Sequence, residues 1–103
     1  MGFFKEKKKK KNATQGKYEK IEVGGEKLPV LSFYLFTQKD DGKRYIELTA
    51  AEELEALHFS EVEMVIYLST KKLIINGIFE KAFAQGKFKV YKFEVAKLNE
   101  YYI

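Results

Sequence analysis

A chain of 103 residues, 46% of them hydrophobic, has the material for one globular domain around one core. It contains no cysteine, which excludes a disulfide framework, thiolate metal ligands and thiol nucleophiles. Nineteen basic and 15 acidic residues leave a net charge of +4, and where that charge sits says more than its size.

Residues 1–20 hold eight lysines against Glu6 and Glu19, whereas residues 21–103 carry eleven basic and thirteen acidic side chains. Within that remainder, positions 22–63 hold ten acidic and four basic residues. Positions 71–97 hold seven lysines against Glu80 and Glu94. The stretch "KEKKKKKNATQGK" at positions 5–17 has no large apolar residue. Residues 1–16 are therefore expected to be a disordered lysine-rich tail, and residues 17–103 a single α+β domain. Such a tail either attracts a polyanion, with an affinity that falls steeply with salt, or merely solubilises the domain behind it.

The apolar runs are short and interrupted by charge, so none is read as a membrane span. No apolar stretch of signal-peptide type comes after the first lysines, and Glu6 stands where myristoylation wants Ser or Thr. Asn12-Ala13-Thr14 fits the glycosylation pattern, but nothing points to a secretory route. The expectation is an intracellular, cytoplasmic protein. Abundant Lys and Glu without Cys lean toward the composition of a thermophile protein.

In chain order, "YEKIEV" at 18–23 alternates as a half-buried strand, and Gly24-Gly25 turns it. Residues 28–38, "LPVLSFYLFTQ", read as a central strand apolar on both faces, with Val30, Tyr34 and Phe36 on one and Leu31, Phe33 and Leu35 on the other. Pro29 is tolerated at its start. "KDDGK" makes a hairpin turn, because Asp and Gly accept positive φ, and residues 43–48 return as a strand. Thr49, with Glu52 three residues on, forms a capping box and predicts a short helix over "AAEELEALHF" that buries Leu54 and Leu57. Residues 61–68, "EVEMVIYL", are a strand with Val62, Met64, Ile66 and Leu68 on one face.

The segment after it divides in two ways. Either residues 69–72 turn and 73–79 form one strand, or Asn76-Gly77 is itself a hairpin turn. The first is preferred, since the second leaves too short a strand. Residues 87–96 form the last strand, with adjacent Val90 and Tyr91 implying a bulge or two covered faces. The fold class is thus α+β, mostly antiparallel β, about six strands in the order β-β-β-α-β-β-β.

Little here suggests catalysis. His58, the one histidine, is a boundary residue beside a predicted helix end. Asp40-Asp41 reads as a turn rather than a cation site, and Glu52, Glu53 and Glu55 suit a helix N-terminus. The glycines match neither a dinucleotide fingerprint nor a P-loop. No enzyme activity, metal or cofactor is expected. The seven tyrosines and nine phenylalanines exceed what a small core requires. In "GKFKVYKFEV" they alternate with lysine, the pattern of a single-strand platform on which rings stack bases and cations track phosphates. It is equally the pattern of an ordinary amphipathic strand.

"LSFYLFTQKDDGKRYIELTAAEELEAL", positions 31–57, runs from strand through Asp-Gly hairpin and strand to a capped helix. In this it resembles the positive-cofactor-four type of single-stranded-DNA-binding transcriptional coactivator. The resemblance covers about a quarter of the chain and departs from the family in its acidic early strands and in the three strands beyond the helix. It implies a homodimer and a contact role for Lys43, Arg44 and Tyr45. The resulting expectation is a binder of single-stranded nucleic acid, DNA or RNA, with little sequence preference. Lys7, Lys8, Lys9, Lys10 and Lys11 would supply attraction, Lys87, Lys89 and Lys92 phosphate contacts, and Tyr91 with Tyr45 or Tyr34 the stacking. The alternative is a protein-interaction or structural module, for which the aromatic "NEYYI" at 99–103 offers a docking element.

Overall fold

The computed structural model describes residues 11–15, 20–57 and 60–102. Among these residues there are eight strands: β1 (Lys11–Gln15), β2 (Lys20–Val23), β3 (Glu26–Lys27), β4 (Val30–Thr37), β5 (Arg44–Ala50), β6 (Glu61–Tyr67), β7 (Lys71–Gln85) and β8 (Phe88–Tyr102). All join one antiparallel sheet in the order β1-β4-β5-β8-β7-β6-β2-β3.

Two strands of 15 residues organise everything else. The first half of β8 pairs with β5, from Lys89 opposite Ala50 to Glu94 opposite Tyr45. The first half of β7 pairs with β6, from Lys72 opposite Tyr67 to Ile78 opposite Glu61. The β7–β8 ribbon thus carries β1, β4 and β5 at one end and β6, β2 and β3 at the other. Between those ends lie two bulges. Ala96 is an extra residue on β8 opposite the Asn76-Gly77 step, and Glu80 is an extra residue on β7 opposite the Phe93-Lys92 step. Bulges bend the strand that carries them and sharpen its twist.

The bend makes a core out of one sheet. In a flat sheet β4 and β6 would stand about 19 Å apart, four strand spacings, with no shared side-chain contact. Here Phe33, Leu35, Ile46 and Leu48 from one end join Val62, Met64, Ile66 and Ile75 from the other in a single buried cluster, closed by Tyr91 and Phe93. The sheet is a curled half-barrel, and its concave side is the core.

Gly77 sits inside β7 at the bend. The Asn76-Gly77 dipeptide is therefore strand, and the reading that turns at residues 69–72 is the observed one, although β7 runs on to Gln85. A Cβ on Gly77 would stand 3.0 Å from Phe93 Cβ and 3.2 Å from Met64 Cε, so glycine lets the two ends of the barrel approach.

Several expectations need correction. Among the described residues there is no α-helix. Thr49 and Ala50 are the end of β5, held by pairing with Val90 and Lys89, so the capping box never acts. Beyond β5 the chain makes a single 3₁₀ turn, Glu55–Leu57, fixed by the Leu57 N–H donating to the Leu54 carbonyl. Leu54 and Leu57 are buried as the spacing predicts. They plug the core while the Leu54 N–H donates to the Tyr91 hydroxyl at 2.7 Å, which takes the amide a helix would have used. His58 and Phe59 lie outside the described residues.

Lys11–Gln15, expected as tail, forms β1 against β4. Along β4 the two faces are also redistributed. Leu31 is an extra residue opposite the Thr49-Ala50 step and is 53% exposed, while Val30 turns inward with Phe33 and Leu35. Adjacent Val90 and Tyr91 are both buried on opposite faces, so two covered faces, not a bulge, explain that pair.

Gly77→Ala tests the bend. Both close neighbours are core side chains, so β8 must shift, and we expect a loss of about 1–3 kcal/mol, read as a lower urea midpoint at unchanged m-value.

Candidate nucleic-acid interface

The convex side of the sheet carries a second, smaller buried group around Phe36, Tyr45 and Val90, outside the main core. The Tyr34 and Phe36 rings stack with centroids 5.1 Å apart, and Phe36 and Tyr45 at 5.9 Å. Over them lies Lys92, with its ammonium 4.5 Å from the Tyr45 centroid and 5.9 Å from that of Phe36. The bulge sets Glu80 alongside Lys92, at 3.5 Å between Nζ and Oε1. Lys92 also donates to Gln38 Oε1 at 3.3 Å, and its side chain is 12% exposed.

At the β4–β5 hairpin, Gly42 takes a φ of 70° and the Gln38 N–H donates to the Lys43 carbonyl, as the Asp-Gly signal requires. Asp41 accepts the Tyr45 hydroxyl at 2.7 Å and the Lys43 N–H at 2.9 Å. These bonds, the tyrosine's first, hold the Asp41 carboxyl below its ordinary range. The same bond to the carboxylate, with burial and the neighbouring negative charge of Asp41, pushes Tyr45 up to about 12. Burial and then Glu47 raise Tyr34 as well.

The expected contact residues therefore separate. Tyr91 is fully buried on the concave side with its hydroxyl engaged by Leu54, so its ring cannot stack on a base. Tyr45 is 5% exposed and bonded to Asp41, which removes it in the same way. Lys92 is held in the aromatic and carboxylate network, Lys89 reaches Glu53 at 3.8 Å, and Lys43 reaches Glu94 at 3.7 Å. Arg44 is exposed at the far end of β5. Lys7, Lys8, Lys9 and Lys10 lie outside the described residues, and of Lys11 only its place in β1 is described.

The fold instead brings cations and rings together at the closed end of the β7–β8 ribbon. Gln85 pairs with Phe88 around a two-residue turn whose first member, Gly86, has a φ of 62°. Register places Lys81, Phe83 and Gln85 on one face with Phe88, Val90 and Lys92. The Lys81 ammonium lies 5.3 Å from the Phe83 centroid, and that of Lys87 5.9 Å from the Phe88 centroid. Phe88 is 38% exposed, a large apolar ring at a solvent-facing tip. Among the described residues neither Lys81 nor Lys87 meets a carboxylate within 4 Å. Lys81 and Phe83 escape a sequence reading that ends the strand at Phe79. The alternation of Lys81, Phe83 and Gln85 is the signal that would extend it.

Acidic side chains collect elsewhere. Glu22, Glu26, Glu61 and Glu63 line a cleft of about 490 Å³ beside the Gly24-Gly25 turn, on the β2, β3 and β6 end of the sheet. Glu22 there is paired with Lys20 at 3.2 Å and accepts the Tyr67 hydroxyl at 3.1 Å. No three potential ligands among the described residues are placed to hold a metal ion. No family model, curated protein or solved structure matches the chain.

The Tyr45 and Asp41 pair titrates in a defined direction. The raised tyrosine contributes stability that is complete below its ordinary value of 10.0 and fades as pH rises through about 12. The lowered aspartate contributes above its unfolded value and loses it as pH falls through its folded one. In NMR titrations, Asp41→Asn should bring the Tyr45 ring to ionise below 12, and Tyr45→Phe should raise the Asp41 carboxyl toward the ordinary range.

Proposed function

We propose that the protein binds single-stranded nucleic acid, DNA or RNA, with little sequence preference, through the closed end of the β7–β8 ribbon. The observation that carries this reading is the pairing, at the tip, of an exposed phenylalanine with a lysine that meets no carboxylate among the described residues, repeated one step down the same ribbon by Phe83 and Lys81. Binding a single strand without sequence preference needs two elements. Rings offer a π-face that any base can stack on, and cations beside them meet the phosphates that flank that base. Phe88 and Phe83 supply the first, and Lys87 and Lys81 the second.

Electrostatics support the same end of the molecule. The tip carries Lys81 and Lys87, whereas the four-glutamate cleft lies on β2, β3 and β6, where β6 pairs with the first half of β7, so a polyanion is drawn toward the tip and repelled from the cleft. The chemistry is positioning and attraction alone, and it involves no bond making.

The test is fluorescence anisotropy of a labelled oligothymidine and of a duplex of equal length at two salt concentrations. We expect the full chain to prefer the single strand. Phe88→Ala should weaken binding by roughly 1–3 kcal/mol with little change in salt slope. Lys81→Gln with Lys87→Gln should lower the salt slope itself, by about 0.7 for each phosphate no longer neutralised. Equal binding by wild type and both variants would overturn the assignment.

A further inference from the structure

The second half of β8 is a different surface. Its ladder with β5 ends where Glu94 faces Tyr45. Beyond that point, positions 95–102 have β7 on one side and, among the described residues, no strand on the other. An open strand edge displays unpaired N–H and C=O groups, and proteins usually guard such edges with proline, lysine or a bulge. This one holds no proline, one lysine (Lys97), and a bulge only at its beginning, Ala96. Glu100, which could guard it, is drawn back to its own ribbon by Lys71, with Nζ and Oε2 2.5 Å apart. Tyr101 is 49% and Tyr102 79% exposed, so the edge is flanked by two aromatic rings in solvent.

We propose that this edge pairs with the same edge of a second copy of the chain, antiparallel and centred on Asn99, to make a homodimer with one continuous sheet. The register is a consequence of symmetry. A two-fold axis normal to the sheet keeps each face on its own side, so opposed residues must share a face. Beyond the Ala96 bulge the alternation is regular. Leu98 packs on the core, which sets Leu98, Glu100 and Tyr102 on the concave side and Lys97, Asn99 and Tyr101 on the convex side.

Three centres are then open. Centring on Glu100 opposes two like carboxylates, which destabilises a pair. Centring on Leu98 runs the ladder into the bulge beside Lys97. Centring on Asn99 uses all of residues 97–101. It opposes the Lys97 of one copy to the Tyr101 of the other, twice, as cation–π pairs. It opposes the two Asn99 amides to each other, and sets each Glu100 beside a leucine of the partner copy rather than its glutamate. The edge is complementary to itself in this register, and a second copy is the occupant it fits. This surface is separate from the ribbon tip and independent of the nucleic-acid reading.

The chain contains no cysteine, which allows a direct test with the full-length protein. Asn99→Cys places two thiols opposite each other across the axis, where the Cβ separation of a cross-strand pair meets the upper limit that a disulfide accepts. Under mild oxidation it should give covalent dimer at least tenfold faster than Lys39→Cys, an exposed control on the β4–β5 hairpin. Lys97→Cys and Tyr101→Cys should each crosslink poorly alone and efficiently when mixed. Sedimentation equilibrium of the unmodified chain should show twice the monomer mass at high concentration, and Tyr101→Lys should return it to monomer. A monomer at every concentration, or Asn99→Cys crosslinking no faster than the control, would overturn the proposal. Faster crosslinking at Leu98→Cys than at Asn99→Cys would overturn the register.

Discussion

The structure depends on the bend in the β7–β8 ribbon. A single antiparallel sheet has two faces and no second layer to cover either, so a chain of this size gains a core only by folding the sheet onto itself. The ribbon does this with two extra residues, Ala96 and Glu80, on opposite strands of one short stretch, and with a glycine where Met64 and Phe93 close in. The long strands are continuous through the bend, so both ends of the barrel are built on the same two backbones. Residues as distant in sheet order as Phe33 and Met64 thereby become members of one cluster. Cooperativity between the ends is the result, since neither three-stranded group buries its apolar face without the other.

The bend also explains the polar arrangement on the convex side. Curling exposes that face to solvent along its length, yet Phe36, Tyr45 and Val90 are buried there. Glu80, displaced by its own bulge, lies beside Lys92, which spans the rings of Tyr45 and Phe36 with its stem and ammonium. The register sets Lys81 opposite Lys92, two like charges across a ladder, and the carboxylate of the extra residue Glu80 offsets them. The extra residue therefore serves geometry and charge together. The Asp41 bond to Tyr45 anchors the other side of the same aromatic group to the hairpin.

Features set by neighbours in sequence are legible without the structure. The Asp-Gly hairpin, the alternation of Val62, Met64 and Ile66, and the burial of Leu54 and Leu57 need only local spacing. Features set by distant pairing are not. Thr49 and Glu52 form a sound capping signal, but β8 takes Thr49 into a ladder, and nothing within ten residues announces that. Lys11 and Gln15 look like tail until β4 offers them an edge. The site is hidden for the same reason. Lys89, Tyr91 and Lys92 alternate with rings as a stacking platform would, yet the face that turns inward is decided by where the bulges fall. Period two places Tyr91 and Lys92 on opposite faces. It cannot say which face is the core.

The choice of inward face, once made, separates three surfaces along one ribbon: the basic aromatic tip, the bend with its buried network, and the edge beyond Ala96 that no strand covers among the described residues. The tip lies about twelve residues from Asn99 along β8. In a dimer centred there, the two tips point away from each other at a distance of at most about 80 Å for straight strands, and less with the bends included. One long single strand could reach both tips, whereas a short one would reach one. Apparent affinity would then rise steeply with oligonucleotide length only past the span that joins the tips, because the second contact becomes intramolecular at that point and not before. A monomer with a single tip has no such threshold. The length dependence of binding is thus a physical link between two surfaces that are otherwise independent, and it arises from the continuity of β7 and β8 through the bend.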